Sequence, residues 1–163
     1  MKITDVTLTL FAWDDIPATK YGQLSQEFSG TSQMGLVTVD TDEGISGHAF
    51  LGSASRGADM DGQTLIKYLK PAVMGQDPLD RERLYQTLLK NYRNTTPRVI
   101  GAVDIALWDI AGKKAGLPIH QLLGSYRHSV PAYASSAVLD SPEAYGEQAA
   151  QYKADGWAAY KIH

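Results

Sequence analysis

The residues with the most chemical capacity are Lys161-Ile162-His163. If Trp157 to His163 is a strand, alternation places Trp157, Ala159, Lys161 and His163 on one face and Ala158, Tyr160 and Ile162 on the other. With Tyr160 and Ile162 packed on helices, a lysine and a histidine then project together into the sheet interior near the strand's carboxyl end. Barrel enzymes place their catalytic groups there. Burial beside a second potential cation is also the arrangement that turns a lysine into a base working at neutral pH. The same K-x-H is also what a solvated tail would show, and spacing alone leaves both readings open.

Other apparent signals carry less. Gly52-Ser-Ala-Ser-Arg-Gly57 has the outer spacing of a phosphate loop but lacks the following Lys-Ser/Thr and precedes no parallel-sheet unit, which argues against nucleotide binding. His48 falls on a hairpin strand and reads as a half-exposed sheet residue. Asp104, Asp109 and Asp155 read as helix or turn residues, and none is assigned as a metal ligand.

Composition narrows the classes of function. The 163 residues carry 15 basic and 18 acidic side chains, a formal charge of -3, so nothing predicts the phosphate attraction that dominates nucleic-acid binding. The chain contains no cysteine, which excludes disulfides, thiolate zinc sites and cysteine nucleophiles and fits a reducing, cytoplasmic setting. The opening MKITDVTLTLFAWDD lacks the apolar core of a signal peptide, and no run approaches the ~18 apolar residues of a membrane span. With 44% apolar residues the chain has the makings of a packed core.

The elements that must position Lys161 and His163 follow from pattern. Lys2 to Leu10 is an expected strand. Met34 to Val39 and Ile45 to Leu51 form a hairpin around Asp40-Thr-Asp-Glu-Gly44, where glycine supplies the positive φ of a tight turn. The polar stretch Ala12 to Gln33 reads as a loop, too long for a mere connector. Leu65, Ile66, Leu69 and Val73 have helical spacing, with Pro71 kinking or closing that helix. Asp77-Pro78 reads as the start of a second helix. Arg98 to Ala115 is apolar nearly all round and is expected to be the buried centre, ended by Gly116 and Pro118. Val130 to Val138, a helix opened by Ser141-Pro142-Glu143, and Trp157 to His163 read as strand, helix, strand, the unit of a parallel sheet. Two parallel strands do not stand alone, and a closed barrel of this type takes about 250 residues, so residues 126–163 are expected to begin a domain that 163 residues cannot complete.

The stretch Ala102-Val-Asp-Ile-Ala-Leu-Trp-Asp-Ile-Ala-Gly-Lys-Lys-Ala-Gly-Leu-Pro-Ile-His-Gln-Leu-Leu-Gly124, with Arg127 and Val130-Pro-Ala-Tyr-Ala-Ser135, closely resembles the enolase superfamily, in its mandelate racemase and muconate lactonizing enzyme branch. The resemblance extends back through the meander and the Asp77-Pro78 helix. It implies an α+β capping domain over residues 1–125, a three-stranded antiparallel meander plus helices. Residues 126–163 would then be the first βαβ unit of a modified TIM-type (β/α) barrel, with Val130 to Ser136 on its first strand and Trp157 to His163 on its second. Family members commonly carry Lys-x-Lys at the end of that second strand. Lys161 matches the first lysine, and His163 stands where the second, the usual base on one face of the substrate, would be.

The implied chemistry is removal of the α-proton of a small carboxylate substrate, giving an enediolate stabilised by Mg²⁺. The metal's carboxylate ligands come from later barrel strands and are expected beyond residue 163. An acid-sugar dehydratase is the leading expectation, followed by a racemase or cycloisomerase. Lys161 and His163 would be the acid/base pair. By the same resemblance the loop over Ala12 to Gln33 would be a lid, with Tyr21 and Gln23 touching substrate. Ser53 and Arg56, after the third strand, would face the barrel mouth, where an arginine suits a carboxylate. Ser135, with Ser136 beside it, would lie at the end of the first barrel strand. A homo-oligomer without nucleic-acid or membrane partners is expected. The competing expectation is a non-catalytic, free-standing cap serving binding or oligomerisation, and in either case the 163 residues alone are expected to be inactive.

Overall fold

The computed structural model describes residues 1–163 except Gln23. The chain forms two compact units, one of Met1–Asp14 and Thr31–Ser125, the other of Asp15–Gly30 and Tyr126–His163. Among the described residues no helix is long and apolar enough to cross a membrane.

The first unit is built on a three-stranded sheet in the order β1 (Ile3–Thr19), β2 (Phe28–Thr41), β3 (Ser46–Leu51). β2 and β3 form the expected antiparallel hairpin, in register from Asp40↔Ser46 to Gly35↔Leu51. Gly44 closes its turn at φ 73°, and its N–H donates to the Thr41 carbonyl at 3.1 Å. Period-2 alternation buries Val37, Val39, Ala49 and Leu51 on one face, where Ile3 and Val6 join the same core, and leaves His48 and Phe50 exposed on the other.

Among the described residues, six helical segments follow β3 in this unit: α1 (Asp59–Thr64), a π turn (Leu65–Leu69), α2 (Lys70–Val73), α3 (Arg81–Leu89), α4 (Pro97–Ala115) and α5 (Ile119–Leu122). The π turn sits just before Pro71, which has no N–H to continue an α-helical ladder. The Lys70 N–H instead reaches back five residues to Leu65. The expected helix start at Asp77-Pro78 is corrected: Asp77 caps a local turn, its carboxylate accepting from the Leu79 N–H at 3.0 Å, and the helix begins at Arg81. α4 is the core helix, burying Val99, Ile100, Ala102, Val103, Ala106, Leu107 and Ile110. It is not apolar all round in effect, since Ile105 is exposed and the Arg81 guanidinium lies 3.3 Å above the Trp108 ring. Gly116, at φ 65°, ends it, with the Leu117 N–H bonding back to the Gly112 carbonyl.

α4 packs directly on β3. A Cβ added at Gly47 would lie 2.0 Å from the Ala106 carbonyl oxygen and 2.7 Å from Ile110, so only glycine allows this backbone-to-backbone approach. Around it Asp109 accepts from the His48 N–H at 2.9 Å and from Lys113 at 2.7 Å, while Lys113 also donates to the Ser46 carbonyl. Burial alone would raise the Asp109 pKa, but these hydrogen bonds and the Lys113 charge outweigh it and hold the carboxyl below its usual range.

The second unit contains β4 (Ala134–Ser135), α6 (Pro142–Ala154) and β5 (Tyr160–Lys161). β4 and β5 pair in parallel, Ala134↔Tyr160 and Ser135↔Lys161. Both strands are far shorter than Val130 to Val138 and Trp157 to His163, because each has ladder hydrogen bonds on one side only among the described residues. Ser141 caps α6 as expected, its hydroxyl accepting from the Ala144 N–H at 3.2 Å.

The loop expected from Ala12 to Gln33 is also corrected. β1 and β2 run into it and leave only residues 20–27 as the connection. β-branched and aromatic residues on both sides, Trp13, Ile16, Phe28 and Thr31 among them, sustain the extended backbone. Two left-handed residues bound the arm of residues 15–30: Asp15 at φ 57° and Gly30 at φ 80°. Thr31 donates to the Asp14 carboxylate at 3.0 Å at its base.

Replacing Gly47 by alanine is expected to cost about 1–3 kcal/mol by overpacking, read as a melting temperature lowered by roughly 2–4 °C per kcal/mol. A Gly47→Ala chain melting with the parent would show that α4 does not need this approach.

Candidate active site

In the second unit, β5 fixes the outlook of the chain's last residues. The Tyr160 hydroxyl donates to Gln148 of α6 at 2.7 Å, and its ring lies 5.8 Å from that of Tyr152. Tyr160 therefore faces the helix, and alternation puts Lys161 on the opposite face. There Lys161 is exposed and stands opposite Ser135 in register.

His163 is gripped through both ring nitrogens. Nδ1 lies 3.2 Å from the Tyr21 carbonyl oxygen, and Nε2 lies 3.0 Å from Ser135 Oγ. A carbonyl oxygen only accepts, so in the neutral ring Nδ1 carries the proton and Nε2 keeps its lone pair, toward which the Ser135 hydroxyl donates. The Tyr21 ring packs at 5.8 Å from the imidazole and 5.7 Å from Phe28. One residue earlier, the Lys20 carbonyl accepts from the Val138 N–H at 2.8 Å. The arm thus contributes main-chain acceptors, which a sequence does not display.

Of the site residues named from sequence, Tyr21, Ser135 and His163 come together, with Lys161 beside Ser135. Gln23 lies outside the described residues. Ser53 and Arg56 belong to the first unit, where they form a two-residue bridge and Arg56 donates to Asp61 Oδ1 at 3.2 Å. Asp61 is buried, with Arg98 at 3.8 Å as a second cation, so the Arg56 charge is already compensated. Two further contributors are Ser136, expected beside Ser135 at the strand end, and Tyr145, which the sequence did not single out. Ser136 Oγ accepts from the His163 N–H at 3.1 Å, and the Tyr145 hydroxyl donates to the His163 main-chain oxygen at 2.8 Å. A tyrosine in the first turns of a polar helix gives no sequence signal for such a contact.

Among the described residues no group of three or more His, Asp or Glu side chains could hold a metal ion. Asp109 is engaged with Lys113 and His48, and Asp155 accepts from Gln151 at 2.9 Å. Burial raises the Asp104 pKa against the opposing charge of Arg81.

Residues 7–124 match the family model of the mandelate racemase / muconate lactonizing enzyme N-terminal domain. The chain belongs to that family. Within the enolase superfamily, the three-stranded sheet with its helices is the family's capping domain. A D-galactonate dehydratase family member of Paenibacillus sp. strain JDR-2 is 40% identical over 116 residues, 66% of this chain and 28% of the relative. The N-succinyl-L-Arg/Lys racemase of Bacillus cereus is 32% identical over 135 residues, 78% of this chain and 35% of the relative. Among solved structures, D-glucarate dehydratase from Agrobacterium tumefaciens, complexed with magnesium, superposes with a TM-score of 0.79 at 30% identity, covering 100% of this chain and 44% of that one. The chain spans less than half the length of these relatives.

Nitrogen-15 NMR of the neutral His163 ring is expected to show protonated Nδ1 and unprotonated Nε2. A predominantly Nε2–H ring would contradict the carbonyl contact to Tyr21.

Proposed function

We propose that this chain is the amino-terminal part of an enzyme that removes the α-proton of a small carboxylate substrate, with His163 Nε2 as the base. The single observation that carries the reading is the grip on His163, with Nδ1 on the Tyr21 carbonyl and Nε2 on Ser135 Oγ, beside Lys161 and just past a parallel strand. In this reading residues 1–125 form the cap and residues 126–163 the first βαβ unit of a (β/α) barrel. Catalytic groups of that architecture sit at strand carboxyl ends.

In the proposed step the α C–H bond breaks, its proton passes to Nε2, and the electron pair moves into the carboxylate as an enediolate. The Ser135 hydroxyl turns aside as Nε2 takes the proton, and the Tyr21 carbonyl stabilises the imidazolium through Nδ1–H. Lys161 supplies positive charge near the carboxylate, or returns a proton. If the substrate carries a β-hydroxyl, its departure with a proton as water completes a dehydration. If it does not, return of a proton to the α-carbon gives racemisation. Tyr21, Gln23, Ser53, Arg56 and Ser135 are the proposed substrate contacts. Arg56 would serve only by exchanging Asp61 for the substrate carboxylate.

Magnesium is the proposed cofactor, since similar structures include D-glucarate dehydratase complexed with magnesium and a dipeptide epimerase complexed with Mg and a dipeptide. The described residues do not form a site for it, so its ligands are proposed to lie outside these 163 residues and no step here runs through it. Acid-sugar dehydration leads because relatives include D-galactonate dehydratase family members and a D-xylonate dehydratase.

The full chain with Mg²⁺ and a panel of acid sugars is expected to show elimination or α-proton exchange that chelation removes and that His163→Asn abolishes. Unchanged turnover in His163→Asn would remove His163 as the base.

A further inference from the structure

The ring of His163 is held by Ser135 and by the arm, but a ring can be aimed only if its backbone is fixed as well. Two side chains outside the proposed acid/base pair do this. The Tyr145 hydroxyl sits between two main-chain groups, accepting from the Leu139 N–H at 2.9 Å and donating to the His163 main-chain oxygen at 2.8 Å. The Ser136 hydroxyl, on a residue only 2% exposed, accepts from the His163 N–H at 3.1 Å.

We infer that Tyr145 and Ser136 are positioning residues that clamp the main chain of His163 and thereby set its tautomer and the direction of Nε2. The inference rests on His163 being the base. Ser135 and Ser136 are neighbours whose side chains leave the strand in opposite directions, so one reaches the ring and the other the peptide. Tyr145 reaches from α6 and ties the segment before that helix to the stretch after β5 with one hydroxyl. With both main-chain groups held, the ring keeps Nδ1 on the Tyr21 carbonyl and Nε2 on Ser135, and of the two neutral tautomers only the Nδ1–H form satisfies both contacts. Loosening the clamp frees the ring to adopt the other tautomer. Base catalysis depends on such placement, and a displacement of about 1 Å can cost on the order of 100-fold in rate.

The experiment uses the full chain with Tyr145→Phe and, separately, Ser136→Ala, each checked for folding by circular dichroism. Tyr145→Phe keeps the ring and removes only the hydroxyl, and Ser136→Ala provides an independent variant should the first fail to fold. Nitrogen-15 spectra of the His163 ring are expected to change from a single Nδ1–H form to an average of two tautomers. The accompanying kcat is expected to fall roughly 10–100-fold with KM changed by less than about twofold. Folded variants that keep the parent tautomer and kcat would overturn the inference. Because the spectrum is read without turnover, an active His163→Asn chain would refute the base while the spectrum still decides the clamp.

Discussion

The first unit depends on the approach of α4 to β3 at Gly47. A helix ordinarily rests on a sheet through a layer of side chains, but here the Ala106 carbonyl occupies the space that a Cβ would fill. That contact sets the depth at which Val103, Leu107 and Ile110 meet Val37, Val39 and Ala49, and so the shape of the main apolar core. Asp109, Lys113 and His48 ring the contact with polar bonds that require the same spacing. At this density a change of one methyl group is felt, because the surrounding side chains have no void to move into.

The arm that reaches His163 is the part of β1, β2 and their connection that belongs to the second unit. β1 and β2 run on into the second unit, whose arm of residues 15–30 is bounded by two left-handed residues, Asp15 and Gly30. Aspartate tolerates this conformation better than most side chains and glycine adopts it freely. Within the second unit the arm contributes the carbonyls of Lys20 and Tyr21. The orientation of one imidazole thus depends on main-chain atoms far away in sequence, on Ser135 of β4 and the Ser136 that follows it, and on a tyrosine of α6.

What could be read from sequence follows from which forces leave a local trace. The β2–β3 hairpin, the span of α4, its glycine stop and the serine cap of α6 are all set by contacts within a few residues, and the pattern of Asp, Gly, Pro and apolar side chains records them. The family, too, was legible, through the run from Ala102 to Gly124. The start of α3 was misplaced because Asp77 and Asp80 are equally good cap residues, and only the turn between them decides. The lengths of β1 and β2 were underestimated because the arm's strands have few buried side chains and show no alternation. At the candidate site, the K-x-H spacing pointed to His163 and the family resemblance to Ser135 and Tyr21. Ser136 and Tyr145 act through main-chain atoms, and main-chain contacts are written in no residue type.

The central claim is that Nε2 of His163 is the atom that takes the substrate's α-proton. The most direct measurement is a crystal structure of the full chain with magnesium and an unreactive analogue of its carboxylate substrate. Nε2 is expected to leave Ser135 and lie about 3–3.5 Å from the α-carbon, with Nδ1 still on the Tyr21 carbonyl. An α-carbon approached by Lys161 or another group, with Nε2 still bonded to Ser135, would contradict it.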